Sequence, residues 1–79
     1  MIGINQQSLE TLHKQFKIIT SAQKEIEAIL EQALIRKKAL PKRSAEYQEA
    51  ETLCESLEYA VDDLDSVLAN LDEIITTEP

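Results

Sequence analysis

The chain has no Trp, one Gly, one Cys, two Pro and three other aromatic residues in 79 positions. One cysteine excludes an intrachain disulfide and any cysteine-based metal cage. A single glycine, Gly3, excludes the glycine-rich loops that cradle phosphates. No apolar run approaches the roughly 18–20 residues of a membrane span. Basic residues are missing from the whole second half. All eight Lys and Arg lie at or before Arg43, with four acids there; from Ser44 onward there are eleven acids and no base. The net charge of −7 argues against nucleic acid and anionic lipid as partners.

What remains is helix-forming sequence with a strong apolar period. From Ala50 to Ile75 the apolar residues fall in three columns: Ala50, Leu57, Leu64, Leu71; then Leu53, Ala60, Val67, Ile74; then Cys54, Val61, Leu68, Ile75. Repeats of three, four and seven mark an amphipathic helix. Three columns make a stripe wide enough to touch more than one neighbour. An earlier seam runs through Leu9, Leu12, Phe16, Ile19, Gln23, Ile26, Leu30 and Ala33, with Ala22 and Ile29 on its flank. Asn5 or Ser8 caps this first helix, and Glu10 just inside suits the positive end of its dipole. Arg36, Lys37 and Lys38 suit its negative end, Pro41 stops it, and Ser44 caps the second helix.

The expected fold is therefore all-α. It is an antiparallel, coiled-coil-like two-helix hairpin in a single domain, 1–79, with helices at about 6–39 and 45–76 and a turn at about 40–44. Residues Met1 to Gln7 form a short leader without the features of a secretory signal, so the cytosol is the expected compartment. Folding about Pro41 and Lys42 gives paired residue numbers a common sum of 83. This sets Ala33 against Ala50, Leu30 against Leu53, Ile26 against Leu57, Gln23 against Ala60, Ile19 against Leu64, Phe16 against Val67, Leu12 against Leu71 and Leu9 against Ile74. Lys37 then faces Glu46. The leftover columns, Ala22 and Ile29 on helix 1 and Cys54, Val61, Leu68 and Ile75 on helix 2, fall on opposite sides of the hairpin. They are the expected partner-binding strips, covered by a second copy in a four-helix bundle or by another protein. Tyr59, an aromatic outside the core among acids, is a further candidate contact.

No catalytic constellation is present, so no enzyme activity, cofactor or metal is expected. His13 has no ligand partner at metal spacing; Asp62, Asp63 and Asp65 read as a solvated helix face. Arg36, Lys37, Lys38, Lys42 and Arg43 form one basic patch with no interleaved aromatic, which weakens a nucleic-acid reading. Gln23 is the one polar residue of its seam; it either fixes register or reaches past Ala60 to solvent.

Two resemblances bear on function. Leu9-Glu10-Thr11-Leu12 opening helix 1, Tyr47-Gln48 opening helix 2, and Glu55-Ser56-Leu57-Glu58-Tyr59-Ala60 after it resemble the small E-type co-chaperones of bacterial type III secretion systems. That resemblance covers most of the chain in length and pattern. The basic, Pro-containing turn and the very acidic last helix depart from it. It implies a helical hairpin that docks on a helical-repeat chaperone and helps keep the needle subunit from polymerising in the cytosol. Cys54-Glu55-Ser56-Leu57, with Asp62, Asp63 and Leu64, resembles the second helix of Rop-type plasmid RNA modulators, which implies a dimeric RNA-binding bundle. Here only a sparse row, Lys14, Lys17 and Lys24, stands where such a protein needs a basic face. A structural hairpin of another family is the third reading.

Overall fold

The computed structural model describes residues 5–77. Two helices, α1 (Gln6–Lys38) and α2 (Ala45–Thr77), pack against each other in a rod of 57 × 16 × 13 Å. Residues 1–4 of the expected leader lie outside the described residues, and Gln6 and Gln7 already belong to α1.

Local chemistry sets each boundary. Asn5 is the cap of α1: its backbone is extended and its Oδ1 accepts from the Ser8 N–H at 2.8 Å. That bond satisfies one of the amides a helix start leaves without a partner. With the cap at Asn5, Glu10 falls beyond the first turn, which holds no acid. Arg36, Lys37 and Lys38 occupy the last turn. The helix tightens as it ends, because Ala39 N–H donates to Arg36 O and Leu40 N–H to Lys37 O. Such i→i+3 bonds commonly close a last turn, and Pro41 prevents a further one.

Ser44 joins turn to helix. Its Oγ donates to Pro41 O at 2.7 Å and accepts from the Tyr47 N–H at 3.1 Å. One hydroxyl thus holds the turn closed and caps α2. Ser44→Ala is expected to cost about 1 kcal/mol, read as a lower thermal midpoint by circular dichroism with unchanged helix content at 5 °C.

The packing register differs from the expected one in half of its layers. Gln23 reaches the backbone of Val61, and Lys37 lies over the ring of Tyr47; both pairs have numbers summing to 84. The α1 columns Leu9/Phe16/Gln23/Leu30/Lys37 and Leu12/Ile19/Ile26/Ala33/Leu40 are buried or half-buried throughout. The same is true on α2 of Tyr47/Cys54/Val61/Leu68/Ile75 and Ala50/Leu57/Leu64/Leu71. Carried along the heptads from the Gln23–Val61 and Lys37–Tyr47 contacts, this register keeps the expected layers Ala33·Ala50, Ile26·Leu57, Ile19·Leu64 and Leu12·Leu71. Between them it sets Leu30·Cys54, Gln23·Val61, Phe16·Leu68 and Leu9·Ile75, in place of the expected Leu53, Ala60, Val67 and Ile74. Cys54 is 2% exposed, whereas Leu53 is 53% and Val67 42% exposed. The seam therefore takes Cys54, whereas Leu53 and Val67 face out; Ala60 and Ile74 of their column are half-buried.

Candidate functional site: one apolar face of the hairpin

Exchanging the two columns of α2 moves the unpartnered apolar residues. Cys54, Val61, Leu68 and Ile75 were expected to form an outer strip; they are buried or half-buried against α1. The physical reason lies at the turn. Continued one heptad back, their column begins with Tyr47, which packs under Lys37 at 5.8 Å. The Leu53 column begins with Glu46, whose charge belongs in water. Glu46 against Tyr47 was the signal in the sequence that could have settled the choice. The expected Lys37–Glu46 pair gives way to the Lys37–Tyr47 contact, a cation over an aromatic face.

The outward columns now share one side. In an antiparallel pair, flanks of the same heptad position lie next to each other across the seam. Ala22 and Ile29 flank the Gln23/Leu30 column of α1 just as Ala60 and Leu53 flank the Val61/Cys54 column of α2. Ile29 stands beside Leu53, Ala22 beside Ala60, and Arg36 beside Glu46. A shallow groove lined by Ile29, Ala33, Arg36 and Leu53 joins the two helices on this side. A second one, lined by Arg36, Leu40, Glu46, Ala50 and Leu53, continues it toward the turn. The expected strips on opposite sides are thus a single face. Its exposed residues are Ile29, Leu53 and Val67, with the half-buried Ala22, Ala60 and Ile74 between and beyond them and Ile18 at its edge. Ile18 and Ile29 are both more than half exposed.

The opposite side is mostly polar. There Glu27, Glu51, Glu58, Asp65 and Asp72 lie with His13, Thr20 and the half-buried Leu34. Gln23 connects this side to the core. It is 7% exposed, and its Nε2 donates to Val61 O at 3.0 Å and to Asp65 Oδ1 at 2.6 Å. It does not reach past Ala60 to solvent; it is buried and bonds the facing helix.

The remaining candidates do not gather. Tyr59 is 66% exposed, but it projects from the back of α2, away from the apolar face. Cys54 is the free cysteine and is buried, as a small apolar residue. Among the described residues no group of three or more His, Cys, Asp or Glu could hold a metal ion. Among the same residues no helix is long and apolar enough to cross a membrane. Chemically, the arrangement offers apolar contact along one side and acidic solvation along the other. The chain matches no family model, and no curated protein or solved structure is significantly similar to it.

Proposed function

We propose that the chain is a non-enzymatic protein-binding module acting in the cytosol, whose apolar face docks on a helical surface of a partner. Within that class the co-chaperone reading is preferred: a hairpin that stabilises the complex of a type III secretion chaperone with its needle subunit. The supporting observation is the exposure of Ile29, Leu53 and Val67, with a shallow groove between the helices lined by Ile29 and Leu53. Large exposed apolar patches rimmed by polar residues mark interaction surfaces, and helix-in-groove docking uses such a stripe. The sparse burial is consistent with such a role: among the described residues only Cys54 and Gln23 are buried, and domains this small commonly gain stability from association. The acids of the opposite side disfavour the RNA-binding alternative.

The test uses purified components. Mixed with a helical-repeat secretion chaperone and its needle subunit from the same host, the protein is expected to elute as a 1:1:1 complex by size exclusion with light scattering. Leu53→Asp with Val67→Asp is expected to weaken binding at least ~100-fold, since each loses an apolar contact and buries a charge. Absence of a complex refutes the co-chaperone reading; unchanged affinity of the double variant refutes the face. Val61→Glu and Leu68→Glu are unsuitable probes, because both positions are in the seam and their loss would unfold the hairpin.

A further inference from the structure

We infer that in the free protein this face is covered by a second copy of the chain, running antiparallel, with the two-fold axis crossing at Ala22 and Ala60. The inference rests on the protein-binding reading in one respect: the second copy holds the surface that a partner would take.

Three observations carry it. The first is the distribution of size along the face. Ala22 is the middle residue of α1 and Ala60 lies one residue from the middle of α2, so the narrow waist of the face is at the centre of the rod. Ile29 and Leu53 stand on the turn side of that waist, Ile18 and Val67 on the open side. A two-fold axis through the waist lays the full length of one rod on the other and puts Leu53 of each copy beside the partner's Val67. Helix α1 then stacks on α1 and α2 on α2, with the alanines allowing close approach.

The second is charge. The turn end carries Arg36, Lys37, Lys38, Lys42 and Arg43 against Glu46 and Glu49, a net positive charge, whereas the open end of the described rod carries Glu10, Asp72 and Glu73. A parallel pair would set two basic turns side by side, at a cost in like-charge repulsion. An antiparallel pair sets each basic turn beside an acidic open end. Along the rim the same register puts Ser56 beside the partner's Asp63 and Glu49 beside the partner's Asn70, so rim acids meet neutral side chains. The other acids of α2, from Glu51 and Glu58 to Asp65 and Asp72, lie on the far side.

The third is area. A face on a rod 57 Å long and 16 Å wide is large enough to bury the roughly 800 Å² per partner of a standard interface. A hairpin with so few fully buried residues gains the rest of its core that way, as four-helix bundles do.

Sedimentation equilibrium of the whole chain should give twice the 8.9 kDa of one copy. Nitroxide labels at Lys42→Cys, in a Cys54→Ala background that retains helicity, should be separated by a distance near the 57 Å length of the rod. Labels at Ser56→Cys in the same background should be separated by less than half of that. Leu53→Asp should convert the dimer to monomer; should that variant unfold, the label distances in the folded dimer still decide. A protein that stays helical and monomeric at millimolar concentration overturns the inference, and so does a short distance between the turn labels. Neither result touches binding to another protein. Conversely, a dimer with the expected distances that binds no secretion chaperone sinks the co-chaperone reading alone.

Discussion

Leu68→Asp is expected to abolish most of the helical signal at 25 °C, whereas Val67→Asp, one residue away, leaves the hairpin helical. Leu68 lies in the seam in the layer of Phe16 and is half-buried. A carboxylate there loses the leucine's apolar contact and pays desolvation with no partner in reach. Together these cost on the order of 3 kcal/mol or more. A single core in a chain of this size rarely supplies more than about 3–5 kcal/mol, so most of the folded population is lost. Val67 is 42% exposed on the open face, and an acid there remains solvated; its cost to the hairpin itself is within about 1 kcal/mol. Ellipticity at 222 nm, followed through urea titrations at low protein concentration, checks both. Equal destabilisation would mean that both columns touch α1.

The second large effect is expected at Gln23. Gln23→Glu places a carboxylate where Nε2 now donates to Asp65 Oδ1 at 2.6 Å and to Val61 O at 3.0 Å. The donor is replaced by an acceptor, two negative charges are brought together, and the new one is largely buried. Burying an unpaired charge beside a second carboxylate in this way costs on the order of 3 kcal/mol. Gln23→Leu keeps the volume and removes the polar demand, and its effect on stability is expected to stay within about 1.5 kcal/mol of wild type. Urea midpoints at pH 7 separate the two. A Gln23→Glu variant as stable as wild type would show that the side chain does not lie between the helices.

Much of the architecture was legible because several signals agreed. The seam of α1, the stop at Pro41, the cap at Ser44 and the layers from Ala33·Ala50 to Leu12·Leu71 all follow from apolar spacing and helix-end chemistry. The choice between the two outer columns of α2 was not forced by hydrophobicity. Leu53, Ala60, Val67 and Ile74 are as apolar as Cys54, Val61, Leu68 and Ile75, and both alternate with the Leu57 column at helical spacing. Volume alone favours Leu53 over Cys54. What decides is further along the chain: Tyr47 can continue the seam to the turn and Glu46 cannot, and the Gln23 amide reaches the backbone at Val61. A shift of one residue then moves the exposed apolar residues from two opposite strips to one side of the hairpin. The functional reading depends on that shift more than on any single residue, since one face suits one partner. The apolar edge formed by Ile18 was not legible as part of a site, because it lies outside the period of the α1 seam.

The chain's only cysteine offers the most direct test of the seam. Cys54 is 2% exposed and lies in the layer of Leu30. In native protein at sub-micromolar concentration, where self-association is suppressed, its reaction with an aromatic disulfide reagent should be at least ~100-fold slower than in the urea-unfolded chain, because access requires the hairpin to open. A chain carrying Leu53→Cys and Cys54→Leu should retain its helicity and react at once. Immediate reaction of Cys54 in the folded wild-type protein would contradict the account, since it would place the cysteine column on the surface and return the Leu53 column to the core.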